Sequence, residues 1–430
     1  MMIPTIVISI ITVFLIVLSI IFLPSIRIGR FKIHTYWIIA LLGASILLIS
    51  QLSPFDEVWA GLTSNDSINP IKILALFFSM TIISIFLDEL GLFRYLASLA
   101  VKKAKGKQYI LFIILYTLTS ILTIFTSNDI VILTFTPFIC FFCKNAKIKA
   151  LPYLVSEFVA ANTWSMLLII GNPTNIYLAT SAGIEFMNYL KVMWLPTIFA
   201  GIMEVCVLFG VFYRFLKDPI EVEEDDYHIT SKFDLCVGLI HLLACLIMLV
   251  ISGYIDIEMW LIASYSSLSL ITIVLITRLL THKNWEYVSH SLKRLPYPLI
   301  PFFLSMFVIV VGFNYQGISS EIAKFLGNDN QVFVYGYSSF FASNIINNIP
   351  MSILFSNLSQ NSEAVYASIV GSNIGAFLTP IGALAGIMFS SLVEEHRIKY
   401  SFIDFMKYGA IISLPTITIC LLTLTWTVNF

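Results

Sequence analysis

The chain is short of charge. Of 430 residues only 24 are Lys or Arg and 25 are Asp or Glu, so charged side chains make up 11%, where a soluble domain carries about 25%. Hydrophobic residues make up 58%, and mean hydropathy is +0.92. A water-soluble chain of this length needs more polar surface than these residues can cover, which excludes water as the main solvent. A net charge of −1 with no basic face argues against nucleic acid as a partner. No GxxxxGK[ST] loop is present, so ATP hydrolysis by this chain is disfavoured and no enzyme activity or cofactor is expected. Six cysteines, Cys140, Cys143, Cys206, Cys236, Cys245 and Cys420, lie in or beside apolar runs and read as small buried hydrophobes. Cys140 and Cys143 form a CxxC, but no second pair or nearby His completes a metal site.

What the chain has instead is apolar runs of membrane-crossing length. They fall near 3–24, 36–52, 71–88, 108–142, 152–183, 188–215, 233–252, 257–277, 296–313, 331–359, 364–392 and 403–427. The pattern predicts an all-α polytopic membrane protein with about ten or eleven crossings. No basic n-region or small-residue cleavage site precedes the first run, so residues 3–24 read as a retained helix.

Lys and Arg placement predicts orientation in a cell membrane. Arg27, Arg30 and Lys32 place the first loop in the cytoplasm and the N-terminus outside; Asp56, Glu57 and Asp66 mark an external loop. Arg94, Lys102, Lys103, Lys105 and Lys107 mark a cytoplasmic amphipathic helix whose Phe93 and Leu96 touch lipid or protein. The pair 233–252 and 257–277 turns outside at Asp256 and Glu258, with Arg278, Lys283, Lys293 and Arg294 returning it to the cytoplasm. The C-terminus falls outside, and only Lys72, Lys191 and Lys324 of the 24 basic residues are external.

Two runs break this alternation. Run 108–142 has Lys105 and Lys107 before it and Lys144, Lys147 and Lys149 after it, so both ends favour the cytoplasm. It predicts a re-entrant hairpin turning at Thr126-Ser127-Asn128-Asp129, since two crossings would leave about 16 residues per arm. Run 331–359 predicts a second hairpin entered from outside. Runs 152–183 and 364–392 are interrupted by Gly171-Asn172-Pro173-Thr174-Asn175 and by Gly371-Ser372-Asn373-Ile374-Gly375 with Thr379-Pro380-Ile381-Gly382. Asn162 stands nine residues before Gly171, and Asn373 nine before Gly382. The halves, 1–216 and 233–430 around an acidic cytoplasmic linker at 217–232, thus read as inverted-topology repeats with discontinuous helices. Broken helices survive in a membrane only where protein or a hydrated cavity satisfies their backbone. Simple kinks at lone Gly or Pro would not explain four interruptions, each beside Asn, Thr or Ser.

The candidate solute site collects Ser127, Asn128, Asp129, Asn172, Thr174, Asn175, Asn347, Asn348, Asn373 and Thr379, whose hydroxyls and amides suit a small polar solute. Asp129 is the candidate proton carrier or cation ligand, because an ionisable group at an intramembrane tip is costly unless it is paired or functional. Capping of the returning helix is the plainer reading. Glu157, Glu204 and His241 suit interfacial, packing or hydrogen-bonding roles as well as any relay. No basic residue falls convincingly within this cavity.

Thr126-Ser127-Asn128-Asp129-Ile130-Val131-Ile132-Leu133-Thr134-Phe135-Thr136-Pro137, Asn347-Asn348-Ile349-Pro350 and the 371–382 segment resemble the arsenite and antimonite efflux permeases of the ion transporter superfamily, which also includes Na⁺/H⁺ antiporters and carboxylate carriers. The resemblance spans essentially the whole chain. It implies efflux of arsenite or antimonite in exchange for protons, sometimes with a separate soluble ATPase. It also implies that Asn128, Asp129, Asn347, Asn348, Asn373 and Thr379 lie at or near the central site. Gly171-Asn172-Pro173-Thr174-Asn175 departs from that branch toward Na⁺/H⁺ antiporters and carboxylate carriers, which leaves Na⁺/H⁺ antiport and carboxylate transport as alternatives.

Overall fold

A computed structural model describes residues 2–23, 25–28, 31–64, 69–220, 229–255, 257–282, 284–327, 329–359 and 361–428. Arg30, Asp66, the acidic segment 221–226, Asp256 and Lys283 lie outside the described residues, as do the side chains of Ile28, Phe31 and Lys32.

The order in the first half is α1 (Met2–Phe22), β1 (Ser25–Ile28), β2 (Phe31–His34), α2 (Thr35–Ile49), α3 (Phe55–Thr63), α4 (Pro70–Glu89), α5 (Leu92–Ala104), α6 (Gln108–Phe125), α7 (Asn128–Asn145), α8 (Leu151–Trp164), α9 (Pro173–Ser181) and α10 (Phe186–Phe212). The second half runs α11 (Lys232–Ile255), α12 (Met259–Leu280), α13 (Glu286–Lys293), α14 (Leu299–Tyr315), α15 (Ile318–Leu326), α16 (Gln331–Ile346), α17 (Asn348–Leu358), α18 (Ser362–Gly375), α19 (Leu384–Glu395) and α20 (Phe402–Thr427). The antiparallel β1–β2 ribbon, with Ser25 opposite His34, is the one sheet among the described residues, and hydropathy gave no sign of it.

The protein is a multi-pass membrane protein. Among the described residues seven helices are long and apolar enough to cross a bilayer, or eight if α14 and α15, bent by 80° at Gln316–Gly317, are taken as one span. The count falls below ten because several runs are cut into pieces too short to cross alone. One expectation shifts: the 18 residues of α6 suffice for a crossing by themselves. Phe93 settles its own alternative, being fully buried against protein. Of the cysteines, Cys206 and Cys236 are exposed on helix faces instead of buried, as suits an apolar side chain whose solvent is lipid, and all six are free.

The interruptions fall where Gly, Pro and Asn stand. α6 and α7 part at Thr126–Ser127; α8 and α9 are separated by a 3-10 turn at Ile169–Gly171; α16 and α17 part at Asn347, whose φ of +71° is costly for a residue with a Cβ. α18 ends at Gly375, and α19 resumes at Leu384. Close packing explains Gly371 directly, since a Cβ there would lie 2.0 Å from Ser339 Oγ and 2.4 Å from the Gly336 carbonyl, so α18 could not approach α16 with any larger residue.

The halves interlock. α6 packs on α8 and α16 on α18 within each half, but α7 packs on α19 and α17 on α9, so each half's second hairpin arm lies against the distal piece of the other half's broken helix. Around the broken helices, α10 packs on α8 and α20 on α18, while α4 packs on α9 and α14 on α17.

Candidate functional site

Two polar environments form where the breaks meet. The first is a sealed amide network. Asn373 on α18 donates from Nδ2 to Asn175 Oδ1 at 2.6 Å and to the Ile369 carbonyl at 2.8 Å, while its Oδ1 accepts from Ser165 Oγ at 2.8 Å and Asn172 Nδ2 at 3.0 Å. Asn172 caps α9, accepting from the Thr174 N–H at 3.1 Å and hydroxyl at 3.0 Å, and Thr174 Oγ1 lies 2.9 Å from Ser372 Oγ. Asn175 Nδ2 donates to the Ser165 carbonyl at 2.8 Å. All these side chains are buried and mutually satisfied, which is how irregular backbone persists inside a membrane protein.

The second environment borders a cavity of about 1160 Å³. Ser127 and Asp129 line it from the first hairpin tip and Pro380 from the second broken helix, together with Tyr36, Thr81, Arg294, Glu394 and Lys399. Ser127 Oγ is buried with no hydrogen-bond partner among the described residues. Ser127 is the N-cap residue of α7 but its side chain makes no capping bond, and Asp129 stands in the first turn, where the helix dipole favours negative charge. The carboxylate of Asp129 takes no hydrogen bond among the described residues; the bond at this turn runs from the Asp129 N–H to Asn128 Oδ1 at 2.9 Å. Asn128 Nδ2 donates to Asn162 Oδ1 at 3.1 Å.

The second tip is held differently. Asn347 Nδ2 donates to the Ile381 carbonyl at 2.9 Å, and the Asn348 N–H to the Gly382 carbonyl at 3.0 Å. Thr379 Oγ1 donates to Asn344 Oδ1 at 2.7 Å, and Asn344 Nδ2 to the Gly375 carbonyl at 2.9 Å. Asn348 Oδ1 is buried and unpartnered among the described residues, as Ser127 Oγ is at the first tip.

The ten candidates are thus brought to one region but divided. Ser127 and Asp129 border the cavity; Asn172, Thr174, Asn175 and Asn373 are taken up in the network; Asn128, Asn347, Asn348 and Thr379 tie tips to breaks. Sequence reasoning passed over Ser165 and Asn344. Asn344 had a visible signal, standing one helical turn before Asn347, whereas nothing local marked Ser165. It also missed Arg294 and Lys399, which line the cavity after a fold no local pattern reveals, so the cavity is not free of basic residues.

Arg294 Nη1 lies 2.7 Å from Asp88 Oδ2 and 2.5 Å from Glu89 Oε1. Burial lowers its pKa and the two carboxylates raise it, with a net rise, so it stays charged. Two other buried carboxylates are held by hydroxyls. Glu157 accepts from Thr136 Oγ1 at 3.0 Å and is fully buried, so its carboxylate does not reach out to solvent; Glu204 accepts from Tyr116 Oη at 3.0 Å and from Thr163 Oγ1. His241 bonds the Val237 carbonyl and Ser269 Oγ. Among the described residues no group of three or more His, Cys, Asp or Glu side chains could hold a metal ion.

A membrane-embedded cavity bordered by broken helices, with polar side chains in its lining, defines a secondary transporter of small solutes. The family model described as CitMHS, citrate transporter, matches residues 26–366, and the chain belongs to that family. It is homologous to arsenical pump membrane proteins, placing it in the broader ion transporter superfamily. It is 25% identical over 385 residues to the arsenical pump membrane protein of Escherichia coli (strain K12), covering 83% of this chain and 86% of that one. It is 23% identical over 428 residues to the uncharacterized transporter slr0753 of Synechocystis sp., covering 92% and 93%. The crystal structure of the Alcanivorax borkumensis YdaH transporter shares the fold at a TM-score of 0.55 and 13% identity, covering 99% of this chain and 98% of that one.

Proposed function

We propose that the protein is a proton-coupled exporter of trivalent arsenite or antimonite. The observation that carries this reading is the presence, on the lining of one cavity, of the Asp129 carboxylate and the Ser127 hydroxyl, neither with a hydrogen-bond partner among the described residues. A neutral arsenic or antimony hydroxide offers several O–H groups and accepting oxygens. It would dock by exchanging water for Ser127, the Asp129 carboxylate and, after rearrangement, the free Asn348 oxygen at the other tip. Proton entry at Asp129 from outside weakens that acceptor and its release to the cytoplasm restores it, which ties solute exit to proton entry. The arsenical pump relatives support the choice of solute.

The topology belongs to the same proposal. Under the Lys/Arg assignment Arg294 and Lys399 of the cavity lining face the cytoplasm, both termini lie outside, and the hairpins 108–142 and 331–359 enter from opposite faces as parts of inverted repeats 1–216 and 233–430 joined by the 217–232 linker. The site is the ten-residue set above, with Asp129 coupling protons. An accessory soluble ATPase is not needed by this chemistry.

Arg294 and Lys399 favour one other reading, uptake or exchange of a small carboxylate, to which the family's description also points. Everted vesicles separate the two. With an imposed proton gradient, accumulation of arsenite but not of a tricarboxylate is expected; accumulation of the carboxylate alone overturns the proposal, and Na⁺-dependent pH changes without either solute point to Na⁺/H⁺ antiport.

A further inference from the structure

A turn recurs in the two halves with different chemistry. Gly91 and Gly317 each stand at the start of a surface helix, α5 and α15, with φ of +87° and +75°. In each case the glycine N–H donates to the carbonyl three residues back, Asp88 at 2.8 Å and Asn314 at 3.0 Å. The side chain at that same position then bonds the second arm of its own half's hairpin. Asp88 Oδ2 accepts from Thr134 Oγ1 of α7 at 2.9 Å, and Asn314 Nδ2 donates to Asn357 Oδ1 of α17 at 2.8 Å. Arg294 backs the first contact, and Ser319 Oγ, 2.5 Å from Asn314 Oδ1, backs the second. Chance does not account well for one backbone turn, at one position before one kind of surface helix, aimed at one hairpin arm in both halves.

We infer that Asp88–Thr134 and Asn314–Asn357 are paired latches that hold the cavity-open state, and that both must open for the hairpins to move. The inference rests on the transport reading above only in assuming that the hairpin arms shift against α4 and α14. Both latches are closed in the same structure, so each stabilises the same state, and loss of either shifts the population toward the alternative one. A contact that merely braced the fold would do the reverse, loosening the walls and admitting reagents faster.

That difference in sign supplies the test. Ile387 is half-buried on the cavity wall and makes no part of the latches. In the full-length chain with native cysteines changed to alanine, Ile387→Cys is labelled with a membrane-impermeant maleimide from whichever face reacts faster. Thr134→Val and, separately, Asn357→Ala are expected to slow labelling about threefold, within the reach of one hydrogen bond, and Thr134→Ser to restore it. Unchanged or faster labelling in the two latch variants overturns the inference. If one variant does not fold, the other decides, because the latches lie on separate helices. No transported solute is needed, so a wild-type protein that moves no arsenite counts against the substrate and leaves the latch result standing.

Discussion

The two hairpin tips each start a second helix at a polar N-cap residue but differ in backbone and in charge, Ser127 being extended and Asn347 at a φ of +71°. The first carries Asp129 to the cavity lining and is tied to its broken helix by the side-chain bond Asn128–Asn162. The second carries only amides and is tied to the 376–383 segment by Asn347 and by the Asn348 backbone, with Asn344 and Thr379 alongside. The latches repeat the contrast in charge, Asp88 being ion-paired with Arg294 from the other half and Asn314 bonded to the neutral Ser319 of its own. Helix breaks thus stand in both halves, and the ionisable groups that border the cavity come from both, Asp129 from the first and Arg294, Glu394 and Lys399 from the second. In the proposed transport cycle, breaks on both sides enclose the solute and the one carboxylate of Asp129 couples it to a proton.

The comparison breaks most visibly at Asp129. Asp129→Asn keeps the shape and is expected to lower proton-driven accumulation by about 100-fold, the order seen when a positioned proton-transfer group is lost, while solute exchange without a gradient persists. Asn348→Ala, at the corresponding place in the second tip, should weaken affinity about fivefold, the equivalent of one hydrogen bond near 1 kcal/mol, and leave the stoichiometry of coupling intact. Flux measured in everted vesicles with and without an ionophore reads both. Equal loss of coupling in the two variants would end the assignment of roles.

Next in size is the network that the tips share. Asn373→Leu removes both a donor to Asn175 and the acceptor of Ser165 and Asn172. Each buried polar group left unpaired costs about 1–3 kcal/mol, so a total near 3 kcal/mol is expected, read as a lower unfolding temperature in detergent. A variant of unchanged stability would mean that water enters this region freely and that it belongs to the solute site.

Much of this was legible in the sequence because membranes penalise exceptions. The breaks at Thr126–Ser127 and Asn347 fall at the residues the sequence marks, since unpaired backbone in hydrocarbon demands Gly, Pro or short polar side chains nearby; but α8 already ends at Trp164, well before Gly171–Asn172, and 371–375 stay helical to the end of α18, so that break falls at 376–383 instead. The equal spacing of Asn162 and Asn373 from their glycines reads in the sequence only as a parallel between halves; in the structure Asn162 bonds Asn128 of the first tip and Asn373 bonds Asn172 and Asn175. What stayed hidden depends on three dimensions. A list of polar residues does not show that Asn172, Asn175 and Asn373 spend their hydrogen bonds on one another while Ser127 keeps its own free. Nor does it show that Arg294 and Lys399, read only as topology markers, line the cavity. The exchange of partners between halves, α7 on α19 and α17 on α9, is equally beyond any linear pattern.

The smallest effect expected is also the sharpest test of whether the tips differ in purpose. Asn347 holds φ at +71° while its side chain bonds the Ile381 carbonyl and the Ile349 N–H. Alanine tolerates that backbone less well than asparagine and supplies neither bond, so Asn347→Ala should cost about 1–2 kcal/mol. Ser127 lies at ordinary extended angles and its hydroxyl has no partner to lose among the described residues, so Ser127→Ala should change stability by less than about 0.5 kcal/mol. Its effect should appear instead as weaker solute affinity. Thermal unfolding of the two variants with and without added solute reads the contrast directly: Asn347→Ala lowers both curves alike, and Ser127→Ala lowers only the solute-induced rise. If Ser127→Ala destabilises the solute-free protein as much as Asn347→Ala does, the first tip is a structural joint like the second, and Asp129 would be left as the one functional group there.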